Sequence, residues 1–348
     1  MLKKSVITIM VQRDGQSQEK TINYYLNDNW PDISFFSETL TFQDIFRDLE
    51  KYLKILDSIS GNYYYTIYYS ASIKSFNNRN TKEKYAFCNL GIETDATNYY
   101  RNIPLFELSK DYLLQLLNSF YEDLSLKKKR LPQINCPVAL SEESACFFIH
   151  EILGHTLEAD SYKYFKSIIG DKGQIILEKI DVLENPFGIP SVNYGDFDDS
   201  GYNYSLKYII KDGYLKSLIS NRRVSEQNMD CKLYRMTNLH LKGKKVYSIA
   251  EYPAYLYIDY VHQAFINVEN GYFSLFASLG KFFKNNKHID SYANIKISGN
   301  IKDVLSSVKV LSETSTKYAG FCVKNGQSVI VGAQSPSLLI ENVIIGSV

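Results

Sequence analysis

The chain has 348 residues, more than one hydrophobic core usually organises, and its 45% hydrophobic and 22% charged residues are the balance of a folded protein, not a disordered one. Its 39 basic and 38 acidic residues leave a net charge of +1, which supplies no field for gathering nucleic acid or an anionic membrane surface, so neither is expected as a partner. The five cysteines (Cys88, Cys136, Cys146, Cys231 and Cys322) lack the spacing of a disulfide framework or a zinc knuckle, and a reducing cytoplasm is the expected location.

Lys3-Lys4 and the apolar run Val6 to Val11 are too short for a bilayer span and lack a small-residue cleavage site, so this stretch predicts a first strand. Between Thr41 and Ile59 the side chains of Ile45, Phe46, Leu49, Leu53 and Leu56 share one helical face, with Gly61 as the stop. Asn62 to Phe76 is rich in tyrosine and isoleucine and predicts a strand, with another at Tyr85 to Ile92. Ser109 can cap a second helix whose buried stripe is Tyr112, Leu113, Leu116, Leu117 and Phe120. Lys127-Lys128-Lys129-Arg130 followed by Pro132 reads as a solvated linker. It divides an α+β N-terminal domain, residues 1–134, from a C-terminal domain, residues 135–348.

Beyond about Leu140 a single helix is expected, and the rest alternates as largely antiparallel sheet. Leu206 to Ile210 and Leu215 to Ile219 flank Lys211-Asp212-Gly213, a hairpin signal, and strand-like runs recur at Tyr255 to Tyr260, Tyr272 to Leu279, Ile295 to Ile297 and Val329 to Val331. The fold class is therefore α+β, with one chemically distinctive helix carried by a β-rich second half.

That helix opens at Ser141, a good N-cap, with Glu142 and Glu143 in the first turn where the helix dipole favours negative charge. Ala145, Phe148, Ile149, Ile152 and Leu153 form its apolar face, and Cys146 beside them is expected as a buried thiol. His150-Glu151-Ile152-Leu153-Gly154-His155 follows. Zinc hydrolases commonly place two histidines four apart on a helix with a glutamate beside the first. Here the histidines are five apart, and in a regular helix that rotates them by roughly 140°, too far to share a metal. Two distortions bring them together: a wide π-turn, or a left-handed stop at Gly154 that curls the chain back. The glycine favours the second.

His150 to Asp160, HEILGHTLEAD, resembles the signature helix of the TldD/PmbA family of metallopeptidases, also called modulators of DNA gyrase. Zinc-binding members of that family carry His-Glu-x-x-x-His followed by Leu-Glu-x-Asp. Asp198-Asp199-Ser200-Gly201, Arg235-Met236-Thr237-Asn238, Gly299-Asn300 and Cys322 to Val329 resemble the family's later motifs in the same order, so the likeness spans about Leu140 to Gly346. The resemblance implies a Zn2+ held by His150, His155 and Cys322, with Glu151 as the general base on a zinc-bound water. It makes Glu158 and Asp160 candidates for holding the imidazole N–H groups, and leaves Asp198, Asp199, Arg235 and Asn238 either shaping the substrate cleft or bracing turns. His240, His262 and His288 match no ligand position.

The function implied is a zinc-dependent peptidase acting on unfolded or leader-type peptides, as a homodimer or paired with a metal-free relative. The alternative is a non-catalytic peptide-binding subunit of such a pair. The chain departs from the family in being shorter, in carrying Val323 where a glycine commonly follows the late cysteine, and in its last residues.

Overall fold

Successive side chains of a strand point to opposite faces of its sheet, and in the first part of the chain those two faces meet different partners. A computed structural model of the chain describes residues 2–13, 20–28, 42–59, 63–93, 98–131, 134–170, 173–223 and 233–347. Gly61, Pro132 and Cys231, and the side chains of Ile45 and Phe46, lie outside the described residues. Strands β1 (Leu2–Arg13), β2 (Lys20–Asp28), β3 (Tyr64–Phe76), β4 (Arg79–Glu93) and β5 (Asn98–Pro104) form an antiparallel sheet in the order β2-β1-β3-β4-β5. Asn77 and Asn78, both left-handed with φ of 48° and 62°, turn β3 into β4, the geometry that matches the twist of a tight hairpin.

One face of this sheet packs on two helices, α1 (Phe42–Asp57) and α2 (Lys110–Ser125). Ile67 and Tyr69 of β3, Cys88 and Leu90 of β4 and Ile103 of β5 are buried there with Leu49 and Leu56 of α1 and Leu113, Leu117 and Phe120 of α2. Ser109 caps α2, its side chain accepting from the Tyr112 N–H at 3.2 Å. The opposite face, which carries Tyr68, Phe87 and Asn102, turns toward the second half of the chain, where Tyr68 meets Phe321 and Asn102 donates to the Tyr318 hydroxyl.

The predicted linker is not wholly a linker, because β6 (Lys128–Arg130) pairs in parallel with a strand of a nine-stranded sheet. Backbone pairing does not depend on side-chain charge, and an edge is where lysine and arginine are tolerated. In that sheet β19 (Lys309–Val310), β22 (Leu338–Ile340), β7 (Val138–Leu140), β15 (Ala254–Ile258), β17 (Tyr272–Lys284), β18 (Lys287–Asn300) and β23 (Ile344–Ser347) follow one another. β16 (Gln263–Asn267) adds to β17, and β6 to β18.

A six-stranded sheet contains β8 (Ile180–Glu184), β10 (Lys207–Lys211), β11 (Tyr214–Leu215), β14 (Asn238–Gly243), β20 (Thr316–Lys324) and β21 (Gln327–Ser335), in the order β11-β10-β8-β14-β21-β20. β9 (Val192–Asn193) crosses back to pair with β4, and β12 (Arg222–Arg223) and β13 (Leu233–Tyr234) make a separate ribbon. Among the described residues the named strands pair antiparallel except for β6/β18, β7/β15 and β14/β21. The fold is α+β. Asp212 and Gly213, with φ of 53° and 82°, make the two-residue turn between β10 and β11.

Between the two sheets runs α3 (Glu142–Phe148), prolonged by a π-helical segment, Ile149–His155. Ala145, Phe148, Ile149, Ile152 and Leu153 share one core with Leu239, Leu241 and Val331 of the six-stranded sheet and Leu256, Leu275 and Ile297 of the nine-stranded one. Burying each large aliphatic side chain is worth about 1.5–3 kcal/mol, so the helix is fixed from both sides. Two further short helices, α4 (Tyr162–Ile169) and α5 (Ile301–Leu305), correct the expectation of a single helix in this half. Among the described residues no helix is long and apolar enough to cross a membrane.

Candidate metal centre

The first turn of α3 is anchored at both its cap and its acids. The Ser141 hydroxyl accepts from the Ser144 N–H at 3.1 Å, and the Glu142 carboxylate accepts from Thr316 Oγ1 at 2.7 Å at the start of β20. Beyond Phe148 the helix widens. A π-helix bonds residue i to residue i+5, so residues five apart come onto one face. His150 and His155 accordingly face each other, with ring centroids 5.0 Å apart at an interplanar angle of 84°.

The expected left-handed stop at Gly154 does not occur. Gly154 is not among the positive-φ residues, and helical backbone continues through Thr156 and Leu157. What disfavours a side chain here is proximity: a Cβ at this position would lie 2.5 Å from Met236 Sδ, 2.6 Å from its Cε and 3.2 Å from Leu239 Cδ1, so the buried Met236 side chain would have to shift.

β20 brings Cys322 to the pair. Its Sγ lies 3.3 Å from His155 Nε2, and one ligating atom from each of His150, His155 and Cys322 falls within 4.8 Å of the others, all three residues being buried. The His150 Nδ1 is buried with no hydrogen-bond partner among the described residues. Two imidazoles and a thiolate with an orphaned ring nitrogen are a donor set that fits zinc. The carboxylate of Glu151 stands 3.8 Å from His150 Nε2.

A polar scaffold surrounds these groups. Glu158, fully buried, lies with Oε2 3.2 Å from His155 Nδ1 and accepts from Lys324 Nζ at 2.8 Å, while its Oε1 accepts from the Met236 N–H at 3.1 Å. Asp160, at the exposed rim, accepts from the same Lys324 Nζ at 2.7 Å. The electrostatics follow from this arrangement. Burial pushes the Cys322 thiol up, but the His155 and His150 rings beside it outweigh burial and hold it well below the ordinary thiol range. Burial likewise raises Glu158, and His155 with Lys324 overcomes it to give a lowered carboxylate. Glu151 goes the other way: burial raises it, and the histidines only partly offset the effect.

Arg235, which the sequence leaves as either shaping the cleft or bracing a turn, instead holds the cysteine, a role that sequence reasoning does not reach. It is fully buried, with Nη2 donating to Cys322 Sγ and to the Cys322 carbonyl, both at 2.9 Å, and Nη1 donating to Gln327 Oε1 at 2.9 Å and its carbonyl at 3.0 Å. The separation of 87 positions between Arg235 and Cys322 leaves no local pattern to reveal this pairing. Asn238, a candidate for the ligand shell or substrate, is engaged elsewhere: its amide donates to the carbonyls of Pro186 and Val192 and accepts from the Tyr194 hydroxyl. Asp198 accepts the N–H groups of Ser200 and Tyr202 and braces a turn, and Asp199 pairs with the buried Lys74.

His150, Glu151, His155 and Cys322 all line one cleft of about 990 Å³. Its far wall is the outward face of the first sheet, with Tyr68, Phe87, Asn89, Tyr100 and Asn102, and Gln263 to Ile266 of β16 form another side. β16 pairs only with β17 and β20 only with β21, so each has an outer edge without a strand partner among the described residues.

Residues 133–347 match the PmbA/TldA metallopeptidase C-terminal domain. A metalloprotease of Archaeoglobus fulgidus is 27% identical over 233 residues, 62% of this chain and 54% of that protein. The zinc metalloprotease TldD homolog of Saccharolobus solfataricus is 28% identical over 232 residues, 60% of this chain and 51% of that protein. The chain thus spans about half the length of the curated relatives it matches. The crystal structure of TldE from Thermococcus kodakarensis shares the fold at 11% identity with a TM-score of 0.66, over 99% of this chain and 96% of that one. With more than half of its residues matched by the family's metallopeptidase domain, and in the region that carries the His150, His155 and Cys322 cluster, the chain belongs to the TldD/PmbA family.

Proposed function

We propose that this chain is a zinc-dependent peptidase that hydrolyses extended peptides, unfolded or leader-type, lying in the cleft. The observation that carries the reading is the convergence of His150, His155 and Cys322 within 4.8 Å, with Glu151 beside them on the same cleft wall. His150, His155 and Cys322 would hold the metal, and when bound it supplies Lewis acidity to the attacking water and the scissile carbonyl. Glu151, whose carboxylate stands 3.8 Å from His150 Nε2, takes the proton of that water and returns it to the leaving amine. Glu158 orients His155 through Nδ1, and Arg235 holds Cys322 by its sulfur. The edge of β16 that has no strand partner among the described residues offers main-chain hydrogen bonds to an extended peptide.

The test separates metal binding from chemistry. Glu151→Gln keeps the side chain's shape, so it should retain zinc and bind peptide while turnover falls by about 10² to 10⁴. Cys322→Ser should lose zinc on dialysis against a weak chelator, since a hydroxyl is a much poorer zinc ligand than a thiolate. Zinc content, peptide affinity and cleavage are measured for wild type and both variants, alone and with a metal-free relative. Bound peptide without cleavage by the zinc-loaded wild type under every condition would favour the binding-subunit reading instead.

A further inference from the structure

We propose that Tyr68, Phe87 and Phe321 form a subsite for a bulky apolar side chain of the substrate peptide, beside the metal ligands, so that the first sheet sets side-chain selectivity. The proposal rests on the peptidase reading of the cleft. Along β20 the side chains alternate: Cys322 and Lys324 reach toward His155 and Glu158, and Phe321 and Val323 fall on the other face. Phe321 sits edge-on to two rings of the first sheet, 5.2 Å from Tyr68 at 87° and 5.4 Å from Phe87 at 78°, while Tyr68 and Phe87 stack on each other at 4.9 Å.

Exposure differs sharply from residue to residue on this wall. Phe87 is 1% exposed, whereas Phe321 is 50% and Val323 67% exposed, and both line the cleft. Single exposed apolar residues are common and need no explanation. These two bracket the candidate metal-ligating cysteine inside the cleft, and Phe321 lies against the Tyr68 and Phe87 rings, where a half-covered ring offers a stacking surface to an incoming side chain.

The neighbouring polar groups on this wall are satisfied by one another. Asn89 donates to Asn102 at 2.9 Å, and Asn102 donates to the Tyr318 hydroxyl at 3.2 Å. The nearest charged side chain on β20, Lys324, is drawn to the opposite face by Glu158 and Asp160. None of the three side chains that form the subsite is charged, so it offers little to compensate the desolvation of a charged side chain and should discriminate against one. Tyr68 and Phe87 lie outside residues 133–347, so this selectivity would be written in the part of the chain that the family domain does not cover.

The experiment uses zinc-loaded protein and labelled hexapeptides in which each position flanking the cut is varied among Ala, Leu, Phe, Asp and Lys. Cleavage efficiency is measured with wild type, Phe321→Ala and Phe321→Leu, and affinity for the same peptides is measured on Glu151→Gln with and without Phe321→Ala. At one position wild type should prefer Phe and Leu over Ala, Asp and Lys by about tenfold or more. Phe321→Ala should collapse that ratio while zinc content and thermal midpoint stay near wild type, and Phe321→Leu should keep part of it. Unchanged side-chain preference in Phe321→Ala, or a preference for charged residues, overturns the subsite. If no peptide is cut but Glu151→Gln binds the Phe and Leu peptides preferentially through Phe321, the subsite stands and the catalytic reading fails. Cleavage with no side-chain preference has the opposite meaning, and neither binding nor cleavage overturns both.

Discussion

Arg235 illustrates how much a single buried side chain can impose on a candidate metal centre. Its guanidinium is a planar fork of donors, and here one prong holds the sulfur and carbonyl of Cys322 while the other holds the amide oxygen and carbonyl of Gln327. The two residues lie on either side of the turn from β20 to β21, so the fork fixes both the hairpin and the thiolate it presents. Lysine carries the same charge but cannot span both partners. Arg235→Lys should therefore fold yet hold zinc about 10- to 100-fold more weakly, the usual scale for losing a hydrogen-bonding partner of a ligand. Chelator competition measures this, and in the cobalt-substituted protein the thiolate-to-metal absorption band should shift as well. Wild-type affinity with an unshifted band would reduce Arg235 to a brace of the hairpin.

At the scale of the element, the π-helix solves a spacing problem that the sequence states openly. Histidines five positions apart demand an unusual turn if they are to share a metal, and that much is legible from His150 and His155 alone. Which distortion serves is not, because the deciding contact is Met236, brought to Gly154 by the tertiary fold. Gly154→Ala sets two effects against each other. Alanine is favoured over glycine inside a helix by about 1 kcal/mol, whereas overpacking a filled core costs about 1–3 kcal/mol. Met236 and Leu239 are both buried in the shared core, so the clash should win. A lowered thermal midpoint and weaker zinc retention are expected, and Met236→Ala in the same chain should restore part of both by opening space. A double variant no better than the sum of its parts would remove the proximity explanation.

The same contrast runs through other elements. Strands β3 and β4 were readable because tyrosine, isoleucine and alternation announce them, although β4 begins at Arg79, before the predicted Tyr85, since its first residues are polar. α4 was missed because eight residues with only Phe165 and Ile169 buried give too little periodicity. The approach of Cys322 to the histidines rested on family resemblance, for nothing local joins a β-strand residue to a helix formed so much earlier in the chain.

At the scale of the whole molecule, the first sheet is tied to the helix bearing His150 and His155 by a buried charge cluster. Arg101 of β5 donates to Glu143 in the first turn of α3 at 2.9 Å and to the Asp259 carboxylate after β15. Its guanidinium also lies 4.7 Å from the Tyr260 ring centroid. Burial pushes Glu143 up to about 7, with Arg101 pulling it down and Asp259 raising it further, while Arg101 keeps Asp259 below the ordinary carboxylate range despite burial. The sign of the linkage follows. Between the unfolded value of 4.5 and about 7 the folded protein holds a proton on Glu143 that the unfolded chain has released, so this group's contribution to stability declines as pH rises through that window.

Glu143→Gln should flatten that part of the stability–pH curve and be least harmful, or stabilising, above pH 7. Arg101→Ala has a different consequence, because it leaves two buried carboxylates facing each other without their cation. Removing one partner of a buried ion pair typically costs about 3–5 kcal/mol, and here the lost contacts are also those that hold the cleft's far wall to the helix bearing His150 and His155. Urea unfolding at pH 8 should show that loss, and combining Arg101→Ala with Glu143→Gln should recover part of it by removing one of the stranded charges. If the double variant is as unstable as Arg101→Ala alone, repulsion between Glu143 and Asp259 is not the cause, and the packing of the Arg101 guanidinium on Tyr260 becomes the dominant link between the two halves.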